Sequence, residues 1–360
     1  MKVLITGSNG FIGSALLRAL AEEPLLRDHN ETERAITELV LLNRHPPPPS
    51  ELNALRALMP AALFDCLHPF CGDLADAASV TEAIGERVDT VFHLAAADSA
   101  TCESDVLRGE QTHLDGMRQL IAACRAVSLR HGIRPRLVFA SSTRVYGQSH
   151  NHASAQQLDD DTPIHPDSAY GTLKHIGELL LAQATRQGWI DARALRFPAV
   201  VVRPPSPALA NDQAATETVT STPDEAAVLS ALIGLPLAGE RCLCPLGPEA
   251  VVRMMSITRC VQNLIHAACL PETYLGARRS FTLPGVTSSV GELIDALRRV
   301  AGEAASRCVD SQRDAAVQAA MGSWPRLCLA TRAESLGFTS DRSIGELIER
   351  QRRSLSAGMG

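Results

Sequence analysis

A short apolar run at the start of the chain leads directly into three closely spaced glycines. Val3–Ile5 precedes Gly7, Gly10 and Gly13, and an amphipathic stretch follows from Phe11 to Ala21. This order predicts a buried strand, a tight turn and a helix. Glycine permits a positive φ and a close backbone approach to a phosphate, which the amino end of a helix attracts with its free N–H groups. The pattern therefore favours a dinucleotide site at the first crossover of a parallel sheet over a bare strand-to-helix turn.

Strand-like and helix-like patterns alternate through the first two-thirds of the chain. Further buried strands are predicted at Leu39–Leu42, Val88–Leu94, Leu137–Ala140 and Ala192–Phe197, and helices at Ala77–Glu86, Asp105–Arg130 and Ser168–Gln187. Such alternation predicts an α/β fold with a doubly wound parallel sheet of the Rossmann type, which binds ligands at the carboxyl ends of its strands. We expect residues 1–200 to form the nucleotide-binding domain with the catalytic residues. Residues 201–360 are expected to form mainly a smaller substrate-binding lobe, with some return to the core.

Three segments interrupt this alternation and are predicted to be loops or insertions. They are Arg44–Ser50, which contains four consecutive prolines, the polar segment Gln148–Asp161, and Pro204–Glu225, which is rich in small and polar residues. Long segments of this kind are usually lids or mobile connections. The second segment contains His150 and His152, which we interpret as part of a polar loop rather than as metal ligands.

The composition of the chain limits its class and its partners. The 360 residues are 45% hydrophobic and 21% charged, with a formal net charge of −6 and no long basic run, which indicates a globular protein and disfavours nucleic acid or an anionic membrane as partner. No apolar run approaches the roughly 18 residues of a membrane-spanning helix, and the first strand does not resemble a signal peptide, so we expect a cytoplasmic protein. The ten cysteines are scattered without a CxxC pair, so we expect reduced cysteines and no metal.

The segment Ser168–Lys174 carries the strongest chemical pattern. Tyr170 and Lys174 are four residues apart on a predicted helix, which puts both side chains on one face. A phenol with a pKa of about 10 is a poor base at neutral pH, but a neighbouring ammonium favours the phenolate and lowers that pKa. The pair can therefore move a proton to or from an alcohol. A half-buried tyrosine beside a surface lysine is the alternative.

Hydroxyl side chains follow the predicted strand Leu137–Ala140. Ser141, Ser142 and Thr143 stand at its carboxyl end, where this type of sheet binds its ligand. A hydroxyl there can hold a substrate oxygen by a hydrogen bond. Taken alone, the segment is better explained by serine as a turn former at a polar strand end.

Five short segments are more informative in combination, in their order along the chain, than any of them is alone. In chain order they are Thr6–Gly13, Gly72–Leu74, His93–Ala96, Ser141–Ser142 and Tyr170–Lys174. Together they resemble the extended short-chain dehydrogenase/reductase family, also called the NAD-dependent epimerase/dehydratase family, from Met1 to about Phe338. The resemblance implies a Rossmann domain, a nicotinamide dinucleotide cofactor and a homodimer.

The resemblance also implies roles for individual residues. Ser142, Tyr170 and Lys174 would be catalytic, with Tyr170 transferring the proton and Lys174 lowering its pKa and holding the nicotinamide ribose. Asp73 would bind the adenine amino group, and Leu94–Ala96 would lie under the diphosphate. The implied cofactor-binding residues are Gly7, Asn9, Gly10, Phe11, Ile12, Asn43, Arg44, Asp73, Leu74, Leu94, Ala95, Ala96, Tyr170, Lys174 and Phe197, the last near the nicotinamide amide.

Further stretches resemble those members of the family that oxidise a small sugar acid. They are Ser168–Leu181, Ala194–Pro204, Val261–Ala268, Leu283–Glu292 and Ser323–Pro325. This similarity implies transfer of a hydride from C2 of a four-carbon aldonic acid to NAD(P), which gives the 2-oxo acid. Two other functions stay open: epimerisation or dehydration of a nucleotide-linked sugar, and a non-enzymatic redox sensor that binds NADP.

A sugar acid needs a cation for its carboxylate, and arginine can hold a carboxylate through two parallel hydrogen bonds. Arg144, Arg203 and Arg253 are the candidates, although each could instead be a solvated surface residue. Together with Ser142 and Tyr170 they make up the expected substrate-binding set.

Two positions depart from the usual pattern of the family. The second predicted strand ends in Leu42-Asn43-Arg44, where NAD-using members usually carry an acid for the ribose hydroxyls. Without that acid, Arg44 can accept a 2′-phosphate, so we expect NADP, with NAD as the alternative. His113 stands where the family usually has asparagine, and it either replaces the hydrogen bond of that asparagine or is simply a helix residue.

Overall fold

The computed structural model describes residues 1–147, 157–203, 224–322 and 327–357. The chain divides into two compact units. The first comprises residues 1–145, 168–196 and 261–282, and the second comprises the described parts of residues 146–167, 197–260 and 283–360. Each unit is therefore assembled from separate stretches of the chain, and residues 261–282 are a return of the chain to the first unit.

Helices and strands alternate along most of the described chain. The strands are β1 (Lys2–Thr6), β2 (Leu25–Arg27), β3 (Glu33–Ala35), β4 (Glu38–Asn43), β5 (Leu67–Cys71), β6 (Thr90–His93), β7 (Arg136–Ser142), β8 (Gln157–Leu158), β9 (Asp191–Phe197), β10 (Ala199–Val201), β11 (Cys242–Cys244), β12 (Val251–Ser256), β13 (Ser280–Thr282), β14 (Val286–Ser289), β15 (Val309–Ser311) and β16 (Leu327–Cys328). The α-helices are α1 (Phe11–Glu22), α2 (Pro49–Leu58), α3 (Ala61–Phe64), α4 (Ala77–Ile84), α5 (Ser99–Ser104), α6 (Val106–Glu110), α7 (Gly116–His131), α8 (Ala169–Arg186), α9 (Glu225–Leu237), α10 (Ile257–Cys269), α11 (Val290–Ala301), α12 (Glu303–Arg307), α13 (Ala315–Gly322), α14 (Thr331–Ser335) and α15 (Ile344–Ala357). A π-helical turn spans Gln111–Asp115, and 3₁₀ turns span Thr143–Tyr146 and Glu272–Tyr274.

The first unit is organised around a seven-stranded parallel sheet in the order β13-β9-β7-β6-β1-β4-β5. The chain adds β4 and β5 on one side of β1 and then crosses back to add β6 and β7 on the other side. Thr6, the last residue of β1, therefore lies between Leu42 of β4 and His93 of β6. The strand order reverses here, and in doubly wound sheets such a switch point holds the ligand crevice. This sheet confirms the predicted fold class.

Local composition explains where the elements differ from those predicted. The edge strand β5 was not predicted because Pro69 and several exposed residues give it a pattern that only an edge strand tolerates. Helix α2 begins at Pro49, so the last two residues of the predicted loop Arg44–Ser50 are helical and that prediction was wrong there. Proline suits the first helical turn because the missing N–H would have no partner within the helix. Of the other two predicted loops, residues 148–156, with His150 and His152, and residues 204–223 lie outside the described residues.

The predicted helix Asp105–Arg130 is present in two parts. Helices α6 and α7 occupy most of this range, and the π-helical turn Gln111–Asp115 separates them. A π-helical turn contains an extra residue, which changes the direction of the side chains that follow. Periodicity alone does not reveal such a turn, because it occurs within an otherwise continuous helical pattern.

The second unit has its own sheet and core. Strand β12 pairs in parallel with β10 and antiparallel with β14. Leu229 of α9, Leu293 of α11 and Leu347 of α15 belong to one buried cluster over this sheet. Helix α11 begins with a capping box, in which Ser289 and Glu292 satisfy each other's backbone N–H groups. Substrate binding by this part of the chain stays a prediction. None of the helices in the described residues is long and apolar enough to cross a lipid bilayer.

A single carboxylate lies among several arginines at the amino ends of β7 and β9. Asp191 is fully buried, and its Oδ2 lies 2.9 Å from Arg193 and 3.7 Å from Arg136. Its Oδ1 lies 3.1 Å from Arg279, which also pairs with Glu272 at 2.9 Å. Three guanidinium groups therefore share the charge of one buried aspartate.

The carboxyl end of α10 compensates part of the remaining positive charge. Arg136 donates a hydrogen bond to the carbonyl oxygen of Ala268, and Arg193 donates to that of Leu270 at 2.7 Å. Carbonyl groups at this end of a helix carry partial negative charge. Burial still lowers the pKa of Arg193 to about 10, so the carboxylate of Asp191 is needed to stabilise these cations.

We predict that Asp191→Asn strongly destabilises the protein. The substitution leaves Arg136, Arg193 and Arg279 without a shared counter-charge, and breaking a buried ion pair from one side costs about 3–5 kcal/mol. The free energy of unfolding in urea measures the loss. Asp295→Asn is the matched control, because its partner Arg298 is exposed and such pairs contribute at most about 1 kcal/mol. Equal effects of the two substitutions would contradict the prediction.

Candidate active site

The first glycine turn packs tightly against the loop that follows β6. Gly7 adopts a φ of +75°, and a Cβ there would lie 2.6 Å from the backbone nitrogen of Ala95. A Cβ on Gly13 would lie 2.1 Å from the carbonyl oxygen of Gly7. Both positions therefore require glycine, and the two contacts hold the turn at the switch point of the sheet.

Helix α1 begins directly after this turn. Its N-cap residue is Gly10, which provides no side-chain cap, and its first turn, which starts with Phe11 and Ile12, contains no acidic residue. Backbone N–H groups and the positive end of the helix dipole are therefore suited to a phosphate. The bare turn and the uncapped helix fit the dinucleotide that the sequence predicts.

Two asparagines connect the turn to the end of β4. The amide nitrogen of Asn43 donates to Ser8 Oγ at 2.7 Å, and its amide oxygen accepts from the backbone N–H of Asn9 at 3.2 Å. The side chain of Asn9 donates to the carbonyl oxygen of His45 at 2.8 Å. Both side chains thus shape the turn itself, and their contact with a cofactor stays a prediction.

A cavity of about 250 Å³ lies in the first unit beside the end of β4. It is lined by Arg44, Asp73, Asp105, Leu107, Arg108, Gln111 and Thr112. One oxygen of the Asp73 carboxylate accepts from the backbone N–H of Ala75 at 2.8 Å. Among the described residues, the guanidinium groups of Arg44 and Arg108 have no ion-pair partner. Arg44 was predicted from the sequence, but Arg108 was not, because only the tertiary structure brings α6 next to the end of β4.

A buried hydrogen-bond chain holds the loop after β6. Thr6 Oγ1 lies 2.8 Å from His93 Nδ1, and the backbone N–H of Ala95 donates to Thr6 Oγ1 at 3.3 Å. His93 stacks on Phe139 with a centroid distance of 5.4 Å. Burial lowers the pKa of His93 to about 3, so its ring is neutral near pH 7. The loop Leu94–Ala96 therefore lies alongside the glycine turn, where the resemblance places the cofactor diphosphate.

Tyr170 and Lys174 lie one turn apart near the start of α8. Ser168 caps the helix by accepting from the backbone N–H of Gly171 at 3.1 Å. Lys174 Nζ lies 5.4 Å from the centroid of the Tyr170 ring. The ammonium and the phenol therefore share one face of the helix, as their spacing predicts.

The ammonium of Lys174 is buried among strand β7 and aromatic rings. Its Nζ donates to the carbonyl oxygen of Ala140 at 2.8 Å and lies 4.8 Å from the centroid of the Phe139 ring. Burial lowers the pKa of Lys174 to about 8, and the negative charge of Glu178 opposes this shift only in part. The side chain thus remains mainly charged at neutral pH.

Ser142 stands at the end of β7, against the first turn of α8. Its Oγ accepts from the backbone N–H of Arg144 at 3.2 Å. A Cβ on Gly171 would lie 2.4 Å from the carbonyl oxygen of Arg144, so this glycine allows the helix to pack directly on the 3₁₀ turn that follows β7. Ser142 therefore lies, along the chain, between two contacts with α8: Lys174 donates to Ala140, and Gly171 packs on Arg144.

A buried carboxylate one turn beyond Lys174 supports this contact. Glu178 accepts from Ser141 Oγ at 2.6 Å and from the guanidinium of Arg196 at 2.9 and 2.6 Å. Burial raises the pKa of Glu178, but hydrogen bonds from Arg196 and its other partners outweigh this and lower it to about 2. The pair of Glu178 and Arg196 was not predicted from the sequence. The spacing of Glu178 from Lys174 was a usable signal, whereas Arg196 lies on another element.

The three arginines considered for a substrate carboxylate differ in their surroundings. Arg144 lies in the first unit, in the 3₁₀ turn after β7. Arg203 pairs with Asp224 at 2.6 Å in the second unit. Arg253 is buried in β12 of the same unit, where it donates to the carbonyl oxygen of Leu283. Burial lowers the pKa of Arg253, and no carboxylate of the described residues lies within ion-pair distance of it.

Leu74 and Phe197, two further cofactor candidates, are buried hydrophobic residues. Leu74 packs closely against Gly116 at the start of α7, and Phe197 ends β9. Their contact with a cofactor stays a prediction. Among the described residues, no three His, Cys, Asp or Glu side chains form a group that could hold a metal ion.

A Rossmann sheet with a bare glycine turn, a serine at a strand end and a tyrosine–lysine pair on one face of a helix is typical of a nucleotide-dependent oxidoreductase. The family model described as the NAD dependent epimerase/dehydratase family matches residues 3–219. The chain belongs to this family, and it is an enzyme that uses a nicotinamide dinucleotide.

Relatives with similar sequences and structures cover nearly the whole chain. The protein named D-erythronate dehydrogenase from Cupriavidus necator is 36% identical over 349 residues, which are 97% of each chain. The protein of the same name from Haemophilus influenzae is 28% identical and covers 97% of this chain and 98% of its own. The crystal structure of a nucleoside-diphosphate-sugar epimerase from Agrobacterium tumefaciens superposes with a TM-score of 0.84 at 28% identity, over 99% of this chain and 95% of the other.

Proposed function

We propose that this protein is a sugar-acid dehydrogenase that oxidises the C2 hydroxyl of D-erythronate or a close aldonic relative to the 2-oxo acid. The observation that carries the proposal is the buried ammonium of Lys174 beside the phenol of Tyr170, since this pair suits proton abstraction from an alcohol. Two relatives that are similar over 97% of the chain carry the name D-erythronate dehydrogenase, which supports a sugar acid as the substrate.

The proposed chemistry divides between the bound cofactor and three side chains. The hydroxyl of Ser142 donates a hydrogen bond to the C2 oxygen of the substrate, and the phenolate of Tyr170 accepts the C2 hydroxyl proton. A bound nicotinamide would supply the redox chemistry as the acceptor of the hydride from C2. Lys174 stabilises the phenolate with its charge, while Glu178 and Arg196 keep the strand end beneath it in place.

Arg253 is the strongest of the three arginines for the substrate carboxylate. A buried guanidinium without a carboxylate partner is costly, and an arriving anion would remove that cost. Arg203 already has Asp224 as its partner. We therefore propose that Arg253 binds the carboxylate of the sugar acid through parallel hydrogen bonds.

A screen of four- to six-carbon aldonic acids, with NADP and NAD, tests the dehydrogenase proposal. We expect D-erythronate or a near relative to produce reduced cofactor in stoichiometric amount, measured by its absorbance. Tyr170→Phe removes the proton acceptor and should lower kcat at least about 100-fold. Tyr274→Phe is the control, because Tyr274 is exposed and should leave kcat unchanged.

Three results would contradict the proposal. If no aldonic acid reduces either cofactor, the chain is not a sugar-acid dehydrogenase. Conversion of a nucleotide-linked sugar without net reduction of cofactor would favour the epimerase or dehydratase alternative. Full biological activity of Tyr170→Phe would favour a redox sensor. A homodimer and a cytoplasmic location stay predictions.

We predict that Arg253→Lys separates recognition of the carboxylate from the chemical step. Lysine keeps the charge but loses the planar fork, so KM for the acid should rise roughly tenfold while kcat stays within about threefold. Arg241→Lys is the control, because Arg241 is largely exposed and only loosely paired. An unchanged KM in the Arg253 variant would place the carboxylate elsewhere.

We propose NADP as the preferred cofactor. Arg44 and Arg108 line the same cavity without ion-pair partners among the described residues, so both guanidinium groups are available for a 2′-phosphate. Asp73 lines this cavity too and is suited to the adenine amino group. No carboxylate ends β4, because the strand finishes at Asn43, whose amide is engaged by Ser8.

Arg44→Ala should therefore lower kcat/KM for NADP about tenfold and leave kcat/KM for NAD nearly unchanged, since only NADP carries the additional phosphate. The measurement is a comparison of the two cofactors at a saturating concentration of the sugar acid. Arg241→Ala provides the exposed arginine control. A clear preference of the unmodified protein for NAD would contradict the assignment.

A further inference from the structure

We infer that His113 is a positioning residue with two roles. Its ring N–H holds the loop Leu94–Ala97 that follows β6, here called the cofactor loop, and its ring orients Tyr170 through a perpendicular ring contact. The role of His113 toward Tyr170 rests on the proposed function. Its role toward the loop depends only on the binding of a dinucleotide at the glycine turn.

The first contact of His113 fixes the position of its proton. Its Nε2 lies 3.0 Å from the carbonyl oxygen of Ala97, and a carbonyl oxygen can only accept a hydrogen bond. Burial, and next the charge of Lys174, lower the pKa of His113 to about 3. The ring is therefore neutral at working pH, with its single proton on Nε2. His113 thus acts as a neutral hydrogen-bond donor and not as a general acid.

Ala97 belongs to the loop that borders the glycine turn. Two residues earlier, the backbone nitrogen of Ala95 packs so closely on Gly7 that a Cβ on Gly7 would lie 2.6 Å from it. The same nitrogen is held by Thr6 Oγ1 at 3.3 Å. The loop is thus fixed at its start by Thr6 and at its end by His113, so loss of the His113 donor should loosen the surface on which the dinucleotide rests.

The second contact of His113 is with the phenol ring. The rings of His113 and Tyr170 meet at right angles, with an interplanar angle of 89° and a centroid distance of 5.7 Å. Tyr170 is half-buried and packs on the cluster of Ala97, Cys102 and Leu173. An edge-to-face contact of this kind restricts the orientation of both rings. His113 therefore limits the directions in which the Tyr170 hydroxyl can point.

The π-helical turn explains how one side chain makes both contacts. His113 is the central residue of Gln111–Asp115, between α6 and α7. The extra residue of such a turn changes side-chain direction, and π-helical turns occur frequently at functional sites. This local geometry gives the buried side chain of His113 access to the loop and to Tyr170 together.

Two substitutions separate the two contacts. His113→Gln keeps an N–H donor at about the position of Nε2 but removes the ring. His113→Phe keeps a ring against Tyr170 but removes the donor to Ala97. His113→Leu removes both contacts and is the reference for a double loss. If His113→Phe does not fold, the comparison of His113→Leu with His113→Gln still isolates the N–H donor, because both variants lack the ring. His131→Gln, an exposed histidine at the end of α7, is the matched control.

The variants are compared by the dissociation constant of reduced cofactor, from fluorescence titration, and by kcat with the acid that the unmodified protein oxidises. We expect His113→Phe to weaken cofactor binding about tenfold with kcat within threefold, and His113→Gln to retain binding with kcat lowered about tenfold. His113→Leu should show both losses. A general loss of folding would instead move both quantities together in every variant.

The inference would be overturned if His113→Gln weakened cofactor binding and His113→Phe lowered kcat. Equal losses in the two variants, or unchanged values in both, would overturn it as well. The titration needs no substrate, so its result stands even if no sugar acid is oxidised. That separates a failure of this inference from a failure of the proposed function, which the Tyr170→Phe variant and the substrate screen decide.

Discussion

The buried ammonium of Lys174 is the charge on which the rest of the site depends. Removing an ammonium from water is costly unless polar or aromatic groups surround it. Here the carbonyl oxygen of Ala140 accepts from it, and the rings of Phe139 and Tyr170 lie 4.8 and 5.4 Å away. The same burial that lowers its pKa to about 8 strengthens its field, so a phenolate on Tyr170 would gain more from it than from an exposed lysine.

The neighbours of this ammonium are kept uncharged or firmly paired. His93 and His113 both have pKa values lowered to about 3, mainly by burial and also by the charge of Lys174. The negative charge of Glu178 is shared with Arg196 through two hydrogen bonds. Positive charge is therefore concentrated on one atom beside the phenol, while the two neutral rings provide hydrogen bonds and contacts of fixed direction.

Local sequence patterns were sufficient to predict an element where its conformation depends mainly on its own residues. The alternation around β1 and the glycine turn predicted the start of α1, and the capping residue Ser168 lies at the predicted start of α8. Edge strand β5 was not predicted, because its pairing with β4 compensates for an unfavourable composition. The π-helical turn at Gln111–Asp115 was not predicted either, since it lies within an otherwise continuous helical pattern.

The sequence by itself determined the general alternation of strands and helices, the glycine turn and the spacing of Tyr170 and Lys174, because these are short-range properties of the chain. Tertiary structure alone decided which distant residues share a charge or a cavity. Arg196 reaches Glu178 from a different element, and Arg108 lines the cavity with Arg44 only after α6 has packed near β4. Electrostatic and packing energies depend on distances in space, and folding makes residues neighbours that sequence separation does not relate.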